Sequence, residues 1–309
     1  MALQIKEFFG YAPLDPAART FADEKTCPFI NKPCTKPNHG ACSVRQATDP
    51  SPIICCPNRL YADGYLVLQE IATEAFGAGT SLFTPTEIQR RKTEGLLVGT
   101  EVAVFGHHWG QELPLPKPQG GASGETRKYY VDWILARMSA DGDMAELTAV
   151  EVQTIDTTGN YSDQAQKFFA GEAYIDGRGR TPGYSNAGMN WENVNKRILP
   201  QLIYKGHVLR REERCSKGLF FVCPRQVFDR IRDRLGGTLH EYRPGNGTIT
   251  FRSYQLGGGS PDGQSRDLEF FDQFTTTVDQ VALAFTSPMN LPDMNVYSAA
   301  ITAALDRQN

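Results

Sequence analysis

The chain has 309 residues, of which 40% are hydrophobic and 22% charged, a composition typical of a soluble globular protein with one or two domains. No stretch is long and apolar enough to cross a membrane, and the N-terminal residues lack the apolar core of a signal peptide, so we expect a cytoplasmic protein. The net charge of −3 does not favour generic nucleic-acid binding, although it leaves room for a local basic cleft.

The first 65 residues are rich in proline, asparagine, lysine and cysteine, and their apolar residues follow neither the helical nor the strand period. Such a segment cannot easily build a core of its own, and a bound metal ion would supply the missing order. We therefore predict two parts: a metal-binding segment over residues 1–65 and a folded domain over residues 66–309.

Helical and strand patterns alternate through the middle of the chain. The predicted elements are, in order, a helix from Ala62, a helix from Thr84, a strand at 101–105, a turn-rich stretch at 106–124, and strands at 129–138 and 147–155 joined as a hairpin by Asp141-Gly142-Asp143.

The last third of the chain continues this mixture. Its predicted elements are a helix at 191–213 with a kink at Pro200, a strand at 219–222, a helix at 224–235 closed by Gly236-Gly237, a hairpin at 240–256, a loop at 257–267 and a helical tail from Asp279. The pattern predicts an α/β fold in which helices flank a central sheet.

The chain has seven cysteines, and five of them fall between positions 27 and 56. In a reducing compartment, such a cluster favours metal ligands over disulfides, and thiolates bind tetrahedral zinc or iron. The alternative is a set of buried free cysteines in a loop-rich segment. Cys55 and Cys56 are neighbours, so one of them is left over from a four-ligand site. Cys215 and Cys223 lie far away and are predicted to be structural.

Two predicted strands carry acidic residues in apolar surroundings. Asp132 interrupts an otherwise apolar strand, and the alternating pattern of the next strand puts Glu151 and Gln153 on one face. An acid in an apolar strand is unfavourable unless something compensates its charge, and a divalent cation shared with Glu151 would do so. The alternative is an acid at a strand end that faces water.

Several blocks of the sequence together resemble the NotI/EagI-type restriction endonucleases, which belong to the PD-(D/E)XK nuclease superfamily. The resemblance runs from about position 5 to about position 255, and its third catalytic position is Gln153 where most of that superfamily has lysine. The resembling blocks are Glu7-Phe8-Phe9-Gly10, Thr26-Cys27-Pro28-Phe29, Cys34, Gly40-Ala41-Cys42, Cys56-Pro57-Asn58-Arg59-Leu60-Tyr61, Gln111-Glu112-Leu113, Asp132-Trp133, Glu151-Val152-Gln153-Thr154-Ile155-Asp156, Thr158-Gly159-Asn160-Tyr161 and Asn190-Trp191-Glu192-Asn193-Val194.

The resemblance implies a PD-(D/E)XK core with a four-cysteine arm, in a homodimeric type II enzyme that cuts a GC-rich palindrome in double-stranded DNA. A cognate DNA methyltransferase would protect the host DNA. The implied catalytic residues are Glu112, Asp132, Glu151 and Gln153, and the implied ligands of a structural metal ion are Cys27, Cys34, Cys42 and Cys56. The resemblance favours iron over zinc in that site. The extra Cys55 beside Cys56 departs from the family pattern and leaves open which of the two thiols is the ligand.

These implications give the remaining polar residues expected roles. Mg²⁺ held by Asp132 and Glu151 would activate water for phosphodiester hydrolysis, with Gln153 orienting that water and Glu112 holding a second ion or acting through water. The basic stretch at 196–214, which by itself is typical of a solvated helix face, would provide Lys196, Arg197 and Lys205 for DNA phosphates.

Three polar loop residues, Asn160, Tyr161 and Asn186, are candidate base readers, although such residues are more often turn formers. Two alternatives to a restriction enzyme remain at this point. One is a metal-stabilised DNA-binding protein without catalysis, and the other is a repair nuclease with the same core.

Overall fold

The structure is a computed structural model that describes residues 2–36, 40–115, 130–258, 263–287, 291 and 293–307. Its strands are β1 (Leu3–Glu7), β2 (Thr26–Cys27), β3 (Lys32–Pro33), β4 (Ser43–Gln46), β5 (Asp49–Ile54), β6 (Ser81–Phe83), β7 (Glu101–Gly106), β8 (Trp133–Met138), β9 (Met144–Val152), β10 (Thr157–Thr158), β11 (Gly188–Met189), β12 (Leu219–Pro224), β13 (Thr248–Leu256) and β14 (Leu268–Thr277).

The helices lie before, between and after these strands. They are α1 (Pro16–Glu24), α2 (Ala62–Phe76), α3 (Pro85–Thr93), α4 (Ser162–Phe169), α5 (Leu199–Leu209), α6 (Arg225–Leu235), α7 (Val278–Thr286) and α8 (Val296–Asp306). A 3₁₀ helix (Pro57–Tyr61) leads into α2, and a π-helical turn (Val194–Ile198) leads into α5. Among the described helices, none is long and apolar enough to cross a membrane.

Seven strands form the central sheet, in the order β14-β13-β12-β9-β8-β7-β6. The sheet is mixed: β9, β12 and β13 run parallel to one another, whereas β8 is antiparallel to both of its neighbours. Helices lie on both of its faces, so the predicted α/β fold with a central sheet and flanking helices is confirmed.

The two faces of the sheet belong to different apolar clusters. Along β9, Ala149 packs with the cluster that contains α5, α6 and α7, whereas Val150 packs with the cluster that contains α2. Phe221 and Phe220 of β12 divide between the clusters in the same way. Because side chains alternate along a strand, Glu151 has the same orientation as Ala149 and lies on the face covered by α5.

The N-terminal segment is more regular than its sequence pattern indicates. Strands β1, β4 and β5 form a three-stranded antiparallel sheet. Leu3, Ile5 and Val44 are fully or almost fully buried, and they belong to the same apolar cluster as α5 and α6. The segment therefore packs directly against the part of the chain that follows it.

Both strands of the predicted central hairpin are present, with shifted ends. β8 begins at Trp133, so Asp132 lies immediately before the strand, and β9 ends at Val152, so Gln153 lies immediately after it. Residue 129, where the first of these strands is predicted to begin, lies outside the described residues. The hairpin prediction itself is confirmed, because β8 and β9 pair antiparallel.

The second predicted hairpin is wrong. Residues 240–247 form no strand, and β13 pairs instead with β14, across the stretch predicted as a loop. β13 lies inside the sheet, with β12 on one side and β14 on the other, and most of its residues are buried. The helical tail is confirmed in α7 and α8.

Candidate active site

The antiparallel pairing of β8 and β9 brings two predicted catalytic carboxylates together. Trp133 pairs with Val150, so the next positions outward, Asp132 and Glu151, lie side by side at one end of the sheet. The carboxyl ends of the parallel strands β9 and β12 meet at this same end.

Asp132 is held in place by the backbone of the neighbouring strand. The Val152 N–H donates a hydrogen bond of 2.7 Å to Asp132 Oδ2. Burial raises the pKa of the Asp132 carboxyl and the nearby Glu112 carboxylate adds to this, whereas the Val152 hydrogen bond and Lys205 lower it. One oxygen of Asp132 is therefore fixed, and the carboxylate has a positive charge nearby.

Glu151 is buried and paired with a lysine that lies far away in sequence. Lys205 Nζ lies 2.5 Å from Glu151 Oε1, and the two side chains are only 7% and 8% exposed. The second oxygen, Oε2, is buried and has no hydrogen-bond partner. Burial, followed by repulsion from Asp132, raises the pKa of Glu151 to about 7, and Lys205 opposes this shift.

The packing of α5 brings Lys205 to this position. A Cβ atom at Gly206 would lie 2.6 Å from Val278 Cγ2, so glycine allows α5 to lie close against α7 and β13. Among the predicted DNA contacts, Lys205 is thus the one that the structure places beside the carboxylates, buried and paired. The sequence signal for this placement is helical spacing, because Lys205 shares a helix face with the buried residues Leu202 and Leu209.

Gln153 and Glu112 complete the predicted catalytic set. Gln153 is half-buried, and its backbone N–H extends the strand ladder by donating to Val222 O at 3.0 Å. Glu112 is half-buried, with Oε1 lying 3.6 Å from His107 Nδ1, and it lines a smaller cavity of about 340 Å³ together with Asp132. All four predicted catalytic residues therefore surround the same end of the sheet.

A single cavity of about 530 Å³ connects the carboxylates with the cysteine cluster. Asp132, Glu151 and Gln153 line one part of it. The five cysteines between positions 27 and 56 line another part. The two groups that the sequence predicts as separate sites are neighbours in space.

The cysteines in this cavity are free thiols, and they interact unequally. The Cys56 thiol has Cys27, Cys34 and Cys42 as neighbours, and burial raises its pKa to about 11. Cys55 donates a hydrogen bond of 3.4 Å from Sγ to the Ala41 carbonyl, so its thiol already has a protein partner. This difference favours Cys56 over Cys55 as the fourth member of the set.

Two contacts connect the cysteine segment with the strands that bear Asp132 and Glu151. Thr154 Oγ1 donates to the Cys55 carbonyl at 3.3 Å, just after β9. Trp133 Nε1 donates to Tyr61 Oη at 3.0 Å, and the two rings pack edge to face next to Asp132. A change in the cysteine segment can therefore reach both strands that carry the carboxylates.

The donor sets differ in how well they fit metal ions. Glu151 and Asp132 provide hard oxygen donors, and the unpartnered Glu151 Oε2 is the kind of atom that a divalent cation satisfies. The thiols have the right chemistry for iron or zinc. However, among the described residues no group of three or more histidine, cysteine, aspartate or glutamate side chains is arranged so that it could hold a metal ion, so the four-cysteine site stays a prediction.

The remaining predicted DNA contacts are exposed or lie in turns. Lys196 pairs with Glu192, and Arg197 Nη1 lies 3.1 Å from Asp156 Oδ2, at the rim of the main cavity.

The candidate base readers lie in three different settings. Asn160 Oδ1 accepts a hydrogen bond from the Ser162 N–H at 2.7 Å, as in a turn. Tyr161 is half-buried and packs against the core, whereas Asn186 is exposed and lines a separate surface cavity. Of these three residues, Asn186 is the one that is exposed and also lines that cavity.

Neighbouring carboxylates with an unpartnered oxygen can provide the hard oxygen donors that a divalent cation prefers. Residues 112–233 match the family model described as restriction endonuclease NotI. The match confirms the resemblance to this family, and the matched segment contains Glu112, Asp132, Glu151, Gln153 and Lys205, while the cysteine cluster lies outside it. A comparison with curated proteins gives no match.

Proposed function

We propose that this protein is a type II restriction endonuclease that makes double-strand cuts at a specific, GC-rich palindromic DNA site by Mg²⁺-dependent hydrolysis. The family match supports a nuclease that binds DNA. The observation that carries the catalytic part of the proposal is the pairing of Asp132 with Glu151 at the end of a mixed sheet, within the matched segment.

Asp132 and Glu151 are the proposed ligands of the catalytic cation. When bound, Mg²⁺ supplies positive charge against the scissile phosphate and lowers the pKa of a water molecule. Val152 N–H keeps Asp132 oriented, and Glu151 keeps Oε2 available for the cation. Gln153 lines the same cavity, and its neutral amide can orient the attacking water or donate to a phosphate oxygen. Glu112 lies near enough to Asp132 to bind a second ion or to act through water.

The sheet supports a further assignment to the PD-(D/E)XK core. In this proposal, β8 and β9 are the strands that bear the motif, and α5 covers the face on which Glu151 lies. Residues 66–309 then form the catalytic and DNA-binding domain, and residues 1–65 form the cysteine-bearing segment.

We assign Cys27, Cys34, Cys42 and Cys56 to one structural iron or zinc ion. Their common cavity supports this assignment, and the hydrogen bond of Cys55 to Ala41 supports Cys56 as the fourth ligand. Thr154 contacts Cys55 and Trp133 contacts Tyr61, so an ion that orders the cysteine segment would also support the strands that bear the carboxylates. It would hold one wall of the catalytic cavity.

A palindromic site has a two-fold axis, and a two-fold symmetric pair of subunits would present one catalytic centre to each strand, so the proposed active form is a homodimer. In this proposal the exposed Lys196 and Arg197 hold DNA phosphates, which is supported for Arg197 by its ion pair with Asp156, a residue that lines the cavity. Asn160, Tyr161 and Asn186 stay candidates for base contacts. A cognate methyltransferase would protect host DNA from this activity.

Incubation of the protein with unmethylated plasmid DNA in Mg²⁺ tests the proposal, with EDTA as the control. We expect discrete fragments whose mapped ends share one palindrome. The variant Asp132→Asn should lose roughly a thousandfold in cleavage rate, because several kcal/mol of charge stabilisation disappear with the cation.

The matched control is Asp141→Asn, at an exposed aspartate in the turn between β8 and β9, which should cut at the wild-type rate. Cleavage by folded Asp132→Asn at that same rate would overturn the active-site assignment. Nicks at mismatches without a fixed sequence would indicate a repair nuclease, and specific binding without any cleavage would indicate a non-catalytic DNA-binding protein.

A further inference from the structure

Lys205 occupies a position on α5 where the helix otherwise presents apolar side chains to the core. Leu202 precedes it by three residues and Leu209 follows it by four, and both are buried, so the three side chains share one helix face. Two charges buried together are unfavourable unless their geometry is good, so a lysine at this position needs a reason beyond filling space.

The lysine makes one close contact with the active site. Its Nζ atom lies 2.5 Å from Glu151 Oε1, and Glu151 Oε2 has no hydrogen-bond partner. Asp132 is fixed in a similar way, through Oδ2 and the backbone of Val152. Each of the two carboxylates is therefore held through one of its oxygens.

Lys205 lies behind Glu151 as seen from the cavity. Among the described residues that line the cavity, α5 contributes Gln201, and Lys205 is not one of them. Its side chain is only 7% exposed. A lysine in this position contacts the carboxylate, and a phosphate in the cavity would meet Glu151 and Gln153 first.

We propose that Lys205 is a positioning residue of the active site, whose ammonium group holds Glu151 through Oε1 and leaves Oε2 to bind the catalytic cation. This inference rests on the proposed function, and it replaces the phosphate contact that the sequence predicts for Lys205. Gln153 is neutral and cannot form such an ion pair, so the fixed positive charge beside Glu151 comes from α5.

Three measurements on the full-length protein test this role: calorimetric Mg²⁺ binding without DNA, DNA affinity in EDTA, and kcat on a cleavable site. In Lys205→Met, we expect Mg²⁺ affinity and kcat to fall about 10–100-fold, as for other residues that orient a metal ligand, with DNA affinity unchanged. Lys205→Arg should restore most of both losses, because it keeps a charged donor. The exposed Lys167→Met is the matched control and should leave all three values unchanged.

Lower DNA affinity with unchanged Mg²⁺ affinity in Lys205→Met would make Lys205 a phosphate contact and overturn the proposal. Unchanged or tighter Mg²⁺ binding by the folded variant would also overturn it. If Lys205→Met does not fold, Lys205→Gln replaces it with the same expectations, and failure of both to fold would show a purely structural role. Mg²⁺ binding by a wild-type protein that cuts no DNA would overturn the proposed function, whereas the Mg²⁺ affinity of Lys205→Met would still show whether Lys205 holds Glu151 for a cation.

Discussion

The cysteine-bearing region and the carboxylate region each contain a buried ion pair, and the two pairs lie in different surroundings. In the first region, Glu7 and Arg59 are completely enclosed, with Arg59 stacked 4.8 Å above the Phe29 ring. In the second region, Glu151 pairs with Lys205 but also lines a large cavity. Glu7 lines no part of that cavity, whereas Glu151 does, so only Glu151 of these two carboxylates faces space that a ligand could enter.

The closeness of the two pairs sharpens this contrast. Glu7 lies near enough to Cys42 to raise the pKa of its thiol, so the enclosed pair borders the cysteine cluster, which shares the cavity with Glu151. We therefore expect changes in the first region to affect folding and metal content, and changes in the second to affect cation binding and cleavage.

Loss of a cysteine ligand should have the largest effect in the first region. If the proposed iron or zinc ion is bound, the wild-type protein should contain about one ion per chain, and Cys34→Ser should lose it together with much of its folded yield, because structural zinc sites contribute about 10–16 kcal/mol. Elemental analysis of the purified protein measures this loss.

The neighbouring thiol provides the matched control for that variant. Cys55→Ser should keep its metal, because a serine hydroxyl can also donate to the Ala41 carbonyl. Metal loss in Cys55→Ser with retention in a Cys56→Ser variant would reverse the choice of ligand.

Breaking the enclosed ion pair should have the next largest effect. Arg59→Met leaves Glu7 buried without its partner and should lower the free energy of unfolding by about 3–5 kcal/mol at pH 8. Burial already raises the pKa of Glu7, and removal of Arg59 raises it further. When a carboxyl has a higher pKa in the folded state, the protein loses stability as the pH rises through that pKa. The loss of unfolding free energy in Arg59→Met should therefore be smaller at pH 5 than at pH 8.

Urea denaturation at the two pH values measures this difference. Arg90→Met, which breaks exposed ion pairs on α3, is the control and should hardly change the transition midpoint. An equal deficit at both pH values would argue against an uncompensated Glu7 carboxylate as its cause.

Mg²⁺ binding at Asp132 and Glu151 should change the stability of the protein less than the two substitutions above. Asp132 and Glu151 both have raised pKa values, so the protein without a cation loses stability as the pH rises through them. The proposed Mg²⁺ ion would bind the ionised carboxylates, and at a hundred times its Kd it should stabilise the protein by about 2.7 kcal/mol.

In thermal denaturation without DNA, Mg²⁺ should therefore raise the Tm more at pH 8 than at pH 6, where protons compete with the cation. The effect should disappear in Glu151→Gln and persist in Glu213→Gln, at an exposed glutamate outside the site. A Mg²⁺ effect of the same size at both pH values would place the cation elsewhere.

The sequence predicted much of this molecule where the signal is local. The alternation of apolar and polar residues around Glu151 and the turn at Asp141-Gly142-Asp143 correctly indicate β8, β9 and their pairing. Antiparallel pairing then brings Asp132 beside Glu151, and the resemblance to the NotI family is confirmed over residues 112–233. By contrast, the pattern of β13 could not reveal its partner, because β14 pairs with it from beyond a long connection.

Only the tertiary structure decided where Lys205 and the cysteine segment lie relative to the carboxylates. The charge pattern placed Lys205 among solvated basic residues, but close packing at Gly206 brings it against Glu151, 54 residues away in sequence. In the same way, spacing and resemblance grouped the cysteines, while contacts such as that of Thr154 with Cys55 place them in the wall of the cavity that Asp132 and Glu151 also line. Residue type and local period are properties of the sequence, but the meeting of distant segments depends on how the helices and strands pack.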